Sequence, residues 1–127
     1  MENFSIGCDI EENSRFERKT LENDKNFLER IFTKRELEYS YKSKNYAQHL
    51  CARFCAKEAI IKALSEFAIS DVYYNDIEIT NQTNGAPCAK IKKYSNIKIK
   101  LSISHCKTHS IANVLLINEV NNNKNKN

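Results

Sequence analysis

Hydrophobic and polar positions change period along the chain, and the changes mark the elements. From Phe4 to Glu11, "FSIGCDIE" alternates, with Phe4, Ile6, Cys8 and Ile10 on one side and Ser5, Gly7, Asp9 and Glu11 on the other, as in a half-buried strand. Ser14 and Glu17 in "SRFE" have capping-box spacing and predict a helix carrying Arg15, Arg18 and Lys19 in its first turns. A second capping box, Thr33 and Glu36, predicts a helix through "LEYSYK", and a long helix runs from about Tyr46 to Phe67. After Ser70 the period becomes two. "VYYNDIEIT" and "CAKI" flank "NQTNGAP", whose Asn84-Gly85 pair predicts a turn. "NIKIKLSIS" alternates cleanly, and "SIANVLLIN" is apolar on both faces, so it reads as the more central partner of a hairpin closed by "HCKTH". One early strand, helices, then antiparallel strands make an α+β domain, its sheet packed against a long central helix and short N-terminal helices. No repeat or linker divides residues 1–118. The polar, low-complexity residues 119–127 are expected to be a disordered tail.

The long helix does not divide into a wet and a dry face. With successive residues about 100° apart, Glu58 and Lys62 share an arc with Cys51, Phe54 and Cys55, while Arg53 and Lys57 fall among Leu50, Ile60 and Leu64. The remaining arc is alanine. No side is reserved for water, so the charges on this helix need partners or a use.

Composition narrows the class. The chain of 127 residues is 41% hydrophobic and 28% charged, which suits one globular domain. No apolar run approaches the ~18 residues that span a bilayer, and "MENFSIGCDIEE" lacks the character of a secretory signal, so a cytoplasmic location is expected. Five scattered cysteines, mostly within apolar segments, read as buried thiols rather than a disulfide framework. A net charge of +4 is too mild to argue for nucleic acid and suits an acidic protein or a phosphate-bearing ligand equally.

Four groups could carry chemistry. Glu58 and Lys62 stand i,i+4 with Glu first, which on most helices is a surface ion pair, but their apolar neighbours weaken that reading. Arg53 and Lys57 share the argument less strongly, since long basic side chains can reach past apolar surface to water. Asp9 stands on a strand face otherwise occupied by Ser5 and Gly7: a solvent-facing residue, or a carboxylate with room beside it for a ligand or metal. His105 ends a strand, where site residues often sit, although an exposed loop histidine is the commoner case. His105, Cys106 and His109 lack a fourth zinc ligand and match no usual spacing. Arg15, Arg18, Lys19, Lys25 and Arg30, interleaved with Glu17, Glu22, Asp24 and Glu29, are a solvated mixed-charge face or a docking surface for an acidic protein.

Taken in order, "IGCDIEENSRFE", "ERIFTKREL", "ARFCAKEAIIKAL", "DIEITNQTNGAP" and "SISHCKTHSIANVLL" resemble the holo-[acyl-carrier-protein] synthase family of bacterial phosphopantetheinyl transferases, from Ile6 to about Ile117. The resemblance implies transfer of 4′-phosphopantetheine from coenzyme A to a serine of apo acyl carrier protein, in fatty-acid synthesis, with adenosine 3′,5′-bisphosphate leaving. It implies Mg²⁺ held by Asp9 and Glu58, and a homotrimer with each site between neighbouring subunits. On this reading Glu58, directly or through a metal-bound water, takes the serine proton, and Lys62 neutralises the transferring phosphate or the leaving oxygen. Ser104 and His105 become coenzyme A contacts, with Gly85 and Pro87 in the turn, and Arg53 and Lys57 become phosphate partners. Arg15, Arg18 and Arg30 become the carrier-docking surface. Neither nucleic acid nor membrane is implied as a partner.

Two departures from the family pattern stand out. Gly85-Ala86-Pro87 replaces the usual Gly-Lys-Pro, and "SEFAISDVYY" replaces a glycine-rich stretch after the long helix. The competing readings are a non-catalytic carrier-protein binding module on the same scaffold, and a small zinc or nucleic-acid binding protein built on "HCKTH". The enzyme reading requires Asp9 and Glu58 to converge in space.

Overall fold

The charged yet unsided helix is explained by what surrounds it. A computed structural model describes residues 3–119. Strand β1 (Phe4–Glu12) leads through short helices α1 (Lys25–Ile31) and α2 (Lys34–Tyr41) to the long helix α3 (Tyr46–Leu64). The hairpin β2 (Ile77–Asn81) and β3 (Pro87–Ile91) and the hairpin β4 (Ile97–His105) and β5 (His109–Asn118) complete the chain. A three-stranded antiparallel sheet runs in the order β1-β5-β4, with β5 central as its two-sided apolar pattern predicts, and β2-β3 form a second sheet. Both sheets and α2 pack on α3, so Leu50, Cys51, Phe54, Cys55, Ile60 and Leu64, spread around the helix, are all buried. This is an α+β fold.

The alternation of β1 is inverted relative to an ordinary half-buried strand. Ser5, Gly7, Asp9 and Glu11 face α3, whereas Phe4, Ile6 and Ile10 are 50%, 69% and 60% exposed. The reason is distance. A Cβ on Gly7 would lie 2.1 Å from the Ala59 carbonyl oxygen, and Ser5 Oγ donates to the Ala63 carbonyl at 2.6 Å. At Ser5 and Gly7 only small residues fit between strand and helix, so the apolar row is turned outward, where Ile111, Leu115 and Ile117 of β5 continue it, half-exposed.

Three other expectations change. The helix predicted from Ser14 is a single 3-10 turn, Asn13–Phe16, because Phe16 must drop into the core against Phe27, Phe32 and Phe54. Ser14 bonds back to Glu12 instead of capping, Arg18 takes a left-handed φ of 64°, and the helix of this region forms only at α1. The strand expected from Val72 begins at Ile77, after a 3-10 turn at Tyr74–Asp76 closed by Asp76, whose carboxylate accepts the Tyr73 N–H. The long helix ends at Leu64 and a 3-10 turn carries it to Phe67. The Thr33/Glu36 capping box forms as predicted. Of the tail read as disordered, residues 120–127 lie outside the described residues. Glu119 donates its N–H to the Asn96 carbonyl.

Candidate active site

The close approach of β1 to α3 sets the two acids beside each other's partners. Lys62 Nζ, one turn beyond Glu58, reaches across to Asp9 Oδ1 at 2.9 Å and the Cys8 carbonyl at 3.1 Å. The bond to Asp9 raises the Lys62 pKa, and the charges of Asp9 and then Glu58 add to it. Glu58 does not pair with Lys62. Its Oε1 accepts from the hydroxyl of Tyr74, whose pKa is pushed up to about 12, chiefly by that bond, then by burial and the Glu58 charge, with a smaller contribution from Asp9. Lys62 and Tyr74 each feel both carboxylates, so Asp9 and Glu58 share one locality. Among the described residues no group of three or more histidine, cysteine, aspartate or glutamate side chains surrounds a single point. Two hard carboxylates beside a lysine suit an Mg²⁺ that completes its shell with water and phosphate oxygens.

Beside this locality lies an open groove of about 540 Å³ lined by Arg15, Phe27, Arg30, Ile31, Phe54, Tyr73, Tyr74 and Asn75. The Arg15 guanidinium sits 4.8 Å over the Phe54 ring and donates to Glu11 at 2.7 Å. Tyr74 contacts the same ring at 5.6 Å between centroids. The groove is therefore apolar-floored with two arginines on its walls. Arg18 is not among its lining residues; its backbone N–H bonds to the Tyr46 hydroxyl.

Residues 5–114 match the family model described as the 4′-phosphopantetheinyl transferase superfamily. The chain belongs to this family. It is 42% identical over 113 residues to a holo-[acyl-carrier-protein] synthase of Oceanobacillus iheyensis, covering 87% of this chain and 93% of the relative. Among solved structures, the holo-[acyl-carrier-protein] synthase of Bacillus anthracis in complex with coenzyme A (3′,5′-ADP) is similar at a TM-score of 0.72 and 32% identity, over 89% of this chain and 95% of that one. The Helicobacter pylori synthase in complex with coenzyme A is similar at 0.73 and 30%, over 87% and 98%.

In this chain His105, Arg53 and the Gly85–Pro87 turn, also singled out from the sequence, form a second group. Gln48 Nε2 lies 2.8 Å from His105 Nδ1. His49 has its pKa lowered by burial and then by Arg53 and His105. Arg53 lies 4.3 Å over the Tyr39 ring and donates to Asn81 at 2.8 Å, while Asn81 donates to the Gly85 carbonyl at 3.0 Å. That chain of bonds ties the turn, where Gly85 has φ +87° and Pro87 opens β3, to α3. Arg53 and Glu58 are about 140° apart around the helix. The two groups thus occupy different faces of α3. Ser104 projects from the outer face of the sheet, on the opposite side from its neighbour His105.

Lys57 departs from its expected place among phosphate contacts. Its ammonium is fully buried, donating to Glu36 at 2.6 Å and to the Ile31 carbonyl at 2.7 Å, so no ligand phosphate reaches it in this fold. Of the "HCKTH" residues, His109 Nδ1 is 2.9 Å from Thr108 Oγ1 and Cys106 Sγ 3.5 Å from the same oxygen, while His105 turns to Gln48. Asn13 binds the backbone of this loop and accepts from Ser110. Sequence reasoning missed Tyr74, Gln48 and Asn13, and gave Glu36 its cap but not its ion pair with Lys57. Tyr74 was hidden because "VYYN" carries the period of a strand.

Proposed function

We propose that the chain transfers 4′-phosphopantetheine from coenzyme A to a serine hydroxyl of apo acyl carrier protein, releasing adenosine 3′,5′-bisphosphate. The observation that carries this reading is the meeting of Asp9, Glu58 and Lys62, from a strand and a helix, in a chain that aligns along most of its length with holo-[acyl-carrier-protein] synthases. Asp9 and Glu58 are the residues to hold Mg²⁺, which when bound would grip the pyrophosphate and offset charge as the P–O bond breaks. Lys62 supplies a cation to the transferring phosphoryl group. A serine hydroxyl is a poor nucleophile at neutral pH, and Glu58 accepts its proton as the new O–P bond forms. The arginine-walled groove receives the acidic carrier, and complementary charge sets the encounter rate.

The same reading makes the protein a cytoplasmic homotrimer serving fatty-acid synthesis. Two features support a site shared between subunits: an exposed apolar sheet face that a second copy would cover, and the split of the expected site residues between two faces of α3.

Incubation with apo acyl carrier protein, coenzyme A and Mg²⁺ tests the activity. The carrier gains roughly 340 Da, the mass of the transferred group in this phosphoryl transfer. Carrier binding with no mass gain at any Mg²⁺ concentration would overturn the enzyme and leave a binding module.

A further inference from the structure

We propose that Tyr74 is a positioning residue for Glu58, holding one carboxylate oxygen from the wall of the groove. This rests on the reading of Glu58 as the residue that serves the transfer.

Glu58 has the sequence spacing to pair with Lys62, yet Lys62 is spent on Asp9 and the Cys8 carbonyl. Among the described residues the side-chain hydrogen bond to Glu58 comes from Tyr74, at Oε1. A glutamate carries three rotatable bonds, and without that bond it would sample several aims. A neutral phenol donating to a carboxylate makes a charge-assisted bond that fixes the aim of the group and leaves its remaining lone pairs for the metal and the serine proton. The phenol is suited to this because a tyrosine hydroxyl, with an ordinary pKa of about 10, is a donor at neutral pH.

Tyr74 is itself held firmly. Its ring lies on Phe54, its backbone begins the turn that Asp76 closes, and the next residue, Asn75, donates to the Glu29 carbonyl of α1. The same side chain therefore touches Glu58 and lines the groove with Arg15 and Arg30. A serine delivered through that groove passes the phenol to reach the carboxylate. As the serine O–H breaks, its proton goes to Glu58. The serine oxygen bonds to phosphorus, and the departing bisphosphate takes the electron pair of the broken P–O bond. Tyr74 keeps its proton throughout and acts only through geometry.

Tyr74→Phe keeps the ring on Phe54 and removes the hydroxyl. The expected result is a kcat lowered roughly tenfold, the value of one charge-assisted hydrogen bond, with KM for coenzyme A and thermal stability unchanged. Tyr74→Ala loses the groove wall as well and raises KM for the carrier. Unchanged kcat in Tyr74→Phe, or a loss confined to KM for coenzyme A, overturns the proposal. A second measurement needs no turnover. The chain has no tryptophan, so tyrosine emission is read directly, and a phenol bonded to a carboxylate emits weakly. Glu58→Gln brightens the wild-type protein but not the Tyr74→Phe variant; equal brightening in both overturns the contact. Failure of the wild-type protein to modify the carrier would sink the proposed activity while the emission cycle still decides the contact.

Discussion

At Lys57 the ammonium donates to Glu36 and to the Ile31 carbonyl in the core, while Glu36 also accepts the N–H groups of Thr33 and Ile79. One buried ion pair thus joins α1, α2, α3 and β2. Burial lowers the Lys57 pKa, and Glu36 opposes that shift. Lys57→Met strands the Glu36 charge and should cost about 3–5 kcal/mol, with Lys57→Met/Glu36→Gln recovering part of it. Urea midpoints at constant slope read this, and a small stability loss with a raised KM for coenzyme A would return Lys57 to the ligand. Tyr41 gives the pH dependence. Its hydroxyl donates to the Lys19 carbonyl at 2.6 Å, and burial, with the nearby Tyr46 and Asp24, pushes its pKa up to about 12. The folded chain keeps this proton where the unfolded chain, with a tyrosine pKa near ~10, has released it. Its contribution to stability is therefore complete below about pH 10 and declines as pH rises toward the folded value. Denaturant midpoints at pH 9 and 11 should show a smaller alkaline loss in Tyr41→Phe than in wild type; equal losses would place the titration elsewhere.

Between elements, the contact of β1 with α3 sets the distance from Asp9 to Glu58. Gly7→Ala forces a Cβ into the Ala59 carbonyl, so strand and helix must part. The expected cost is about 1–3 kcal/mol, with transfer activity falling further than stability because Asp9 is two residues along. Gly85→Ala is the control: its space is open, its penalty comes from φ +87° alone, and the damage stays in the hairpin turn. Thermal unfolding and carrier modification on both variants separate the two, and a Gly7→Ala protein of wild-type activity would show that this spacing is not needed. The same contact marks what could be read from the sequence. Strand and helix periods located β1, α3, β4 and β5, and the lack of a wet face on α3 signalled charges that need partners, which Arg53, Lys57 and Lys62 have. Periodicity has no term for how near two elements lie, so the outward turn of Phe4, Ile6 and Ile10 was invisible. It also could not tell Lys57 from Lys62: both interrupt apolar neighbours, and only the tertiary partner decides that one is enclosed and the other 55% exposed along its side chain. Tyr74 was out of reach for a related reason, since its role depends on a turn that a strand-like sequence concealed.

Across the whole molecule, the outward row of Phe4, Ile6, Ile10, Ile111, Leu115 and Ile117 is an apolar face on a sheet that no other element of the described chain covers. If a second copy covers it, Ile6→Lys should release folded monomers of 14.7 kDa with little transfer activity, measurable by light scattering. A wild-type monomer would end the shared-site reading. Docking has its own signature: Arg15→Glu should weaken carrier use more than coenzyme A binding, and added salt should slow the wild-type enzyme. The sharpest test joins both faces of α3. Glu58→Gln destroys the acid group, and His105→Ala damages the second group around Gln48. If each site takes one face from each of two subunits, co-expressing these two variants creates interfaces in which both faces are intact. Random assembly into a closed ring makes that about a quarter of all sites, so about a quarter of wild-type turnover should return from two variants that each have little. A site contained within one chain gains nothing from mixing, since every copy carries one of the lesions. Restored turnover therefore requires two chains to contribute, whereas its absence, with assembly intact, would confine the chemistry to Asp9, Glu58, Lys62 and the groove beside them.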